Sequence, residues 1–306
     1  MIRSLQYAAL NVPDMKEAKR FFDAMGLEGR ADGAHLVYRC AGRAQDQLRV
    51  VPAEKKGIAW LSFGTRADEI DTLAQNLDRI GVALESAPAG IDNNGLWFRD
   101  PDGILVNIQV ADEAPQTRPG VELNSPGQPY ARLAKRGAPN RHIDTRPRKL
   151  GHVLKFSTDI NRDAQFYCDA LGMKLSDRIG DDLALFLRCG GDSDHHTLAM
   201  ASSEKPGLHH MSWEMGNIDQ LRLRAEHLLA QGYRDGWGTG RHIYGSNYFH
   251  YIRDPWMGLH EFYWDIDFIP GDAHWDIEKA EASHESLFQW AATPPPEDFL
   301  KNYEAA

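Results

Sequence analysis

The chain writes one pattern twice, and a repeat of that size points to a fold assembled from copies of one small unit. The first copy opens with SLQYAALNVPDMKEAKRFFDAMGLE from Ser4, the second with KLGHVLKFSTDINRDAQFYCDALGMK from Lys149. Each reads as a short strand, a turn at Pro13-Asp14 or Asp159, and a helix carrying an aromatic pair, Phe21-Phe22 or Phe166-Tyr167. Gly26 and Gly172 follow where a helix cap is expected, the second copy being one residue longer at the turn. The correspondence runs on through GIAWLSF and GLHHMSW, then helices near Ile70 to Ile80 and Ile218 to Gln231. It closes with GLWFRDPDGILVNIQ against YFHYIRDPWMGLHEFYW, which share an Arg-Asp-Pro turn at Arg99-Asp100-Pro101 and Arg253-Asp254-Pro255. The lengths suit an α+β chain of four βαβββ units, two in each half.

The repeat also sets the expected organisation. An N-terminal domain of residues 1–111 and a C-terminal domain of residues 149–270 are joined by a connector over 112–148 and followed by a tail over 271–306. The connector is rich in Pro, Gly and charge, with no sustained period. Its basic run, from Ala131 to His152, reads as a salt-bridged link, since a formal charge of −10 gives no overall attraction to nucleic acid or an anionic membrane. No apolar run approaches bilayer length, and the opening MIRSLQYAALNVPDM lacks the apolar core and cleavage site of a secretory signal. Cys40, Cys168 and Cys189 are scattered, without CxxC spacing. A cytoplasmic protein in a reducing compartment is expected, with neither nucleic acid nor membrane as partner.

The halves differ most where imidazoles appear. Alignment sets Tyr7 against His152, Trp60 against His210 and, allowing one inserted residue after the Arg-Asp-Pro turn, Val106 against Glu261. Three framework positions thus carry His, His and Glu in one half and side chains that would plug a cavity in the other. Two imidazoles and a carboxylate on one face, with other coordination positions open, form the facial triad of non-haem iron oxygenases. Strand alternation separates the adjacent His209 and His210: matched against Gly151-His152, His210 faces the cavity and His209 points away.

With these residues in place, the chain resembles the type I extradiol catechol dioxygenases of the vicinal oxygen chelate superfamily. The resemblance covers roughly residues 4–270 and is strongest from Gly151 to Trp264. It implies paired βαβββ modules forming an incomplete barrel in each half, a degenerate N-terminal half, and a metal in the C-terminal half on His152, His210 and Glu261. It further implies Fe(II), less often Mn(II), with O2 as co-substrate, and a small catecholic ring opened beside its paired hydroxyls in aromatic-compound catabolism.

Three catalytic positions also follow from the resemblance. They are His196 in DHHTLAMA as acid/base beside the oxygen site, His242 of Gly240-Arg241-His242 as a hydrogen-bonding partner near substrate, and Tyr251 in FHYIRDP as the contact to a phenolate oxygen. Gly245 stands where some biphenyl-type relatives carry aspartate, and Trp256, Met257 and Trp264 are expected around the mouth. The N-terminal half and the tail are expected to shape the cavity, and open strand edges favour a homo-oligomer. Two alternatives keep the scaffold. A metal-dependent isomerase or lyase would want a fourth protein ligand that Tyr7, Trp60 and Val106 do not supply, and a metal-free aromatic-binding protein would have no use for an acid/base.

Overall fold

The computed structural model describes residues 1–304. In chain order the N-terminal half contains β1 (Ser4–Val12), α1 (Met15–Ala24), β2 (Glu28–Asp32), β3 (His35–Arg39), β4 (Asp46–Pro52), β5 (Gly57–Thr65), α2 (Ile70–Arg79), β6 (Leu96–Arg99) and β7 (Leu105–Val110). After an irregular connector come β8 (Lys149–Ser157), α3 (Ile160–Asp169), β9 (Lys174–Ile179), β10 (Ala184–Arg188), β11 (Ser193–Asp194) and β12 (Leu198–Ser202). The last unit is β13 (Gly207–Glu214), α4 (Ile218–Ala230), β14 (Arg234–Arg241), β15 (Tyr248–Arg253) and β16 (Leu259–Trp264). In the tail, β17 (Phe268–Ile269), β18 (Lys279–Ala280) and β19 (Trp290–Ala291) are single short pairings.

The first and fourth units keep three strands after their helix; the third keeps three in the main sheet, with the short β11 pairing separately with β17, and the second keeps two. There the segment VALESAPAGIDNN from Val82, with Pro88 and Gly90 and no run of strand formers, takes the place of a strand. Each half is one sheet, built about a central antiparallel pair, β1 with β5 and β8 with β13. Parallel neighbours flank each pair, β4 and β7 in the first sheet, β12 and β16 in the second. The tail lays β18 beside β9 and β19 beside β14, so both outer edges of the second sheet are paired, while β2 and β6 end the first.

Asp14 and Asp159 cap α1 and α3 by accepting the amides of Lys16 and Glu17, and of Asn161 and Arg162. They stand equally far beyond Tyr7 and His152, so the turns are the same length, contrary to the alignment above. The extra residue lies past the helix, where Ala170 and Leu171 precede Gly172 but Met25 alone precedes Gly26. Both glycines have positive φ, +85° and +71°, as a left-handed cap requires.

The repeated aromatic pairs serve to join the halves. Phe21 packs on Tyr233 and His260 at 5.0 and 5.1 Å between ring centres, and Phe63 and Phe98 meet Tyr167 and Phe166 at 6.4 and 6.1 Å. One hydrophobic core therefore runs through both sheets, each buried Phe contributing roughly 1.5–3 kcal/mol.

The Arg-Asp-Pro turns are welded across the same boundary. Asp100 Oδ1 accepts the amides of Asp102 and Ile104 at 3.0 and 2.9 Å, and Asp254 Oδ1 those of Trp256 and Gly258 at 2.8 Å each. Each second oxygen then faces a lysine of the opposite half: Asp100 meets Lys155, and Asp254 lies 4.0 Å from Lys56. Lys155 is wholly buried and also pairs with Asp163 at 2.6 Å. Burial alone would lower its ammonium; the Asp100 and Asp163 carboxylates more than offset that and hold it above its ordinary value. Lys155→Met removes the buried cation shared by Asp100 and Asp163, so chemical denaturation should show a loss of about 3–5 kcal/mol. An unchanged denaturation midpoint would mean that this cross-half cluster contributes nothing to stability.

Candidate metal centre and active site

Three neighbouring strands place the two imidazoles and the carboxylate. In the register, Ser212 at the middle of β13 lies opposite His152 on β8 and opposite Glu261 on β16, while His210 precedes it by two residues on the same face. His152 Nε2 and His210 Nε2 lie 3.0 and 3.5 Å from the same oxygen, Glu261 Oε2. All three side chains are buried, and among the described residues this is the one group of His, Cys, Asp or Glu whose donor atoms converge in this way, all within 4.8 Å.

The geometry fits a single small cation. Donors at about 2.1 Å from a metal and at right angles to one another are about 3 Å apart, close to the two separations found. His210 Nε2 is buried with no hydrogen-bond partner, a costly state that a cation relieves. Its tautomer is set by the chain. The carbonyl of Phe299 accepts from His209 Nε2 at 2.8 Å, so a neutral His209 offers a lone pair at Nδ1. His210 Nδ1–H donates to that lone pair at 2.7 Å, leaving His210 Nε2 unprotonated and turned toward Glu261. Burial also holds the His210 imidazole well below its ordinary pKa, so it stays neutral, as a ligand must be. Burial would raise the Glu261 carboxyl, but the imidazoles of His152 and His242 more than offset it and hold it well below the usual carboxylate range.

His196, His242 and Tyr251 come to the same cavity as this trio. The His196 ring sits 4.1 Å from that of His152, and burial keeps it well below its ordinary pKa. His242 Nδ1 donates to the Leu287 carbonyl at 2.6 Å, which turns its Nε2 to the Tyr251 hydroxyl at 3.0 Å and to Glu261 Oε1 at 3.5 Å. Burial raises the Tyr251 phenol well above its ordinary pKa, so it remains a proton donor.

Several details differ from the sequence reading. Glu261 pairs across with Ser212 as Asn107 pairs with Ser62, so the counterpart of Glu261 is Asn107 and not Val106, and no residue is inserted after the turn. The two pairs even share a hydrogen bond, Ser212 Oγ to Glu261 Oε2 at 2.5 Å and Ser62 Oγ to Asn107 Oδ1 at 2.8 Å. His209 does not point away: a bulge between Leu208 and His210 breaks the alternation and brings both rings to the cavity. The sister half is not plugged either. Trp60 donates to the Tyr7 hydroxyl at 3.0 Å, and a cavity of about 350 Å3 remains beside Tyr7, Trp97 and Asn107.

At the mouth the tail takes the part expected of it, while the N-terminal half and the three bulky residues do not. The walls of the mouth are Leu154, Phe186, Tyr244 and, from the tail, Leu287, Phe299 and Leu300. Trp264 lies on the strand face opposite Glu261, and Trp256 and Met257 belong to the turn at the strand's end, so none of the three lines the cavity. No residue of the N-terminal half lines it among those described. Gly245 has φ of +85°, and a Cβ there would lie 3.1 Å from His196 Cε1, so an aspartate would be strained and would crowd that ring.

The supporting shell escaped the sequence reading. Ser212 alternates with His210 on one strand and recurs as Ser62, a signal available in the repeat; Asn247, which donates to Glu261 Oε1 at 3.1 Å, and the tail carbonyls carried none. A cation on these ligands should bind about 10–100-fold more weakly in Ser212→Ala, because the carboxylate loses the donor that orients it. Titration of metal-free protein with Fe(II) under anaerobic conditions reads this; equal affinity would show that the serine does not orient Glu261.

The chain is similar to known proteins along nearly its whole length. Residues 149–262 match the Glyoxalase/Bleomycin resistance protein/Dioxygenase superfamily. The chain is 38% identical to metapyrocatechase 2 of Cupriavidus necator over 309 aligned positions, 99% of this chain and 93% of that protein. It is 25% identical over 270 positions to an iron-dependent extradiol dioxygenase of Rhodococcus jostii, covering 83% and 86% of the two chains. Among solved structures, the Mn(II)-bound glyoxalase of Novosphingobium aromaticivorans superposes with a TM-score of 0.80 at 24% identity, over 97% and 93% of the two chains, which shows a shared fold. Similarity that runs nearly end to end at such identity places the chain in a family: it belongs to the metal-dependent extradiol ring-cleaving dioxygenases of the glyoxalase/bleomycin resistance/dioxygenase superfamily.

Proposed function

We propose that this protein uses Fe(II), held by His152, His210 and Glu261, to cleave a small catecholic ring outside its paired hydroxyls, with both atoms of O2 entering the product. The observation that carries the reading is the buried trio with His210 Nε2 left unpartnered beside one carboxylate oxygen. Two imidazoles and a carboxylate with open positions suit iron, and a similar dioxygenase from Rhodococcus jostii is iron-dependent by name. Bound there, iron would supply the redox route between a catecholate and dioxygen and make the ring hydroxyl easier to ionise.

The chain's own residues supply orientation, dryness and protons. Leu154, Phe186, Leu287, Phe299 and Leu300 give the cavity apolar walls that fit a ring and exclude water. His196, neutral because it is buried, takes a proton from a substrate hydroxyl at Nε2 and returns it later. Tyr251 remains a phenol and donates to the oxygen on which charge develops. His242, tied to the Leu287 carbonyl through Nδ1, presents Nε2 as the acceptor that holds that hydroxyl until a substrate oxygen competes for its hydrogen.

In this reading the partners are a small catechol and O2, in the cytoplasm, with neither nucleic acid nor membrane engaged; among the described residues no helix is long and apolar enough to cross a membrane. The β2 and β6 edges of the first sheet are the surfaces on which copies would assemble.

The test is oxygen uptake by protein loaded anaerobically with Fe(II) or Mn(II), given a panel of substituted catechols. Uptake matched mole for mole by a yellow ring-opened product, higher with iron and abolished in His210→Ala, is expected. His196→Phe should keep its metal and lose about 100-fold or more in kcat. Stoichiometric metal with no uptake from any diol would overturn the reading.

A further inference from the structure

Behind His196 stands a buried chain of polar groups to which the reaction above assigns no part. His195 is wholly buried, with Nε2 2.6 Å from Asp177 Oδ2 and Nδ1 3.0 Å from Nδ1 of His196. Asp177, on β9, is buried as well, and its other oxygen accepts the Glu278 amide of the tail at 2.5 Å. Hydrogen-bond inventory then dictates the protons. A carboxylate accepts, so His195 Nε2 donates; a neutral His195 keeps a lone pair at Nδ1, so the hydrogen between the rings belongs to His196 Nδ1. The lone pair of His196 is left on Nε2.

We propose that Asp177 and His195 are positioning residues for the ring-cleaving reaction, which hold His196 in the tautomer whose Nε2 can accept the substrate proton. The proposal rests on the role given to His196 above. Packing keeps both rings where this logic needs them. Phe186 lies 5.1 and 5.9 Å from the rings of His196 and His195, and Trp275 of the tail lies 5.5 Å from His195. The bare backbone of Gly245 closes the remaining side, since a Cβ there would come within 3.3 Å of His195 Nδ1. Turning the His195 ring over would put carbon against Asp177 and leave a buried carboxylate oxygen without its donor. The same device recurs at His209 and His210, where the Phe299 carbonyl takes the place of the carboxylate. In both pairs an oxygen fixes the outer imidazole, and the outer imidazole fixes the inner one.

Asp177→Asn tests the proposal without changing shape. The Glu278 amide donates to one oxygen of Asp177, so the variant's carbonyl must stay there and its NH2 must face His195. That inverts the series: His195 Nε2 becomes the acceptor, its Nδ1–H donates to His196, and His196 Nε2 carries the hydrogen. The expected result is a fall in kcat of about 100-fold or more, the scale of a lost general base, with KM for the best diol, iron content and thermal midpoint unchanged. His195→Phe, which keeps a ring and removes both nitrogens, should lose kcat in the same way. Wild-type kcat in Asp177→Asn, or a loss of kcat that merely follows a loss of iron or of fold in both variants, would overturn the proposal. His196→Phe is the control: if it turns over like the wild type, the role of His196 itself has failed and the proposal falls with it, whereas an inactive His196→Phe beside a fully active Asp177→Asn sinks the proposal alone.

Discussion

A carboxylate with no exposed surface, Glu261, is the group around which the C-terminal half is arranged. Left alone, a buried charge of this kind costs several kcal/mol, and the chain surrounds it with partners on every side. Ser212 and Asn247 each donate to one of its oxygens, and His152, His210 and His242 crowd the same pair of atoms. His152 and His210 are buried and His242 half-buried, and the last two are oriented from further out, His210 by the His209 ring and His242 by the Leu287 carbonyl. The hydrogen-bond shells therefore extend from Glu261 through strands β8, β13 and β15 to the tail. A cation at this place would relieve both the carboxylate and the unpartnered His210 Nε2.

The N-terminal half acts on this site through packing and not through its own cavity. Its Asp100 reaches Lys155, on the strand that carries His152, and its Lys56 reaches Asp254 and, at 2.7 Å, Glu304 of the tail. Phe63 and Phe98 hold the helix that follows the same strand. Strands clamped in this way keep three donors aligned more rigidly than loops would, which is the requirement for a metal centre that must also leave room for two further ligands. The tail complements it from outside: it pairs with both edges of the second sheet, closes the mouth with Leu287, Phe299 and Leu300, and supplies the carbonyls that orient His209 and His242.

The expectations drawn from sequence failed at His209 through a local departure from regular geometry, and at Val106 and the three bulky residues because the regular geometry itself runs otherwise than expected. The alternation of a strand argues that His209 faces away from His210, and a one-residue bulge defeats it. Counting from the Arg-Asp-Pro turn with an inserted residue led to Val106, while the register shows equal spacing and hence Asn107. Trp256, Met257 and Trp264 are bulky and close in sequence to Glu261, yet pleat and turn direct them elsewhere. Bulk alone did not fill the sister cavity, because the Trp60 and Tyr7 rings lock to each other and leave space beside them.

Comparing one half with the other was sufficient to read off the repeated strand-turn-helix openings, the caps at Gly26 and Gly172, and the two positions where His152 and His210 replace Tyr7 and Trp60. Those features are legible because they depend on periodicity and local hydrogen bonding, which a linear text preserves. That the tail shapes the cavity was expected, but which of its carbonyls orient His209 and His242, the positions of Asn247 and Asp177 behind the site, and the cross-half lysines belong to tertiary structure alone. They arise where segments distant in the chain meet, and which buried polar atoms face each other there is decided by how whole sheets pack, information that no short window of sequence contains.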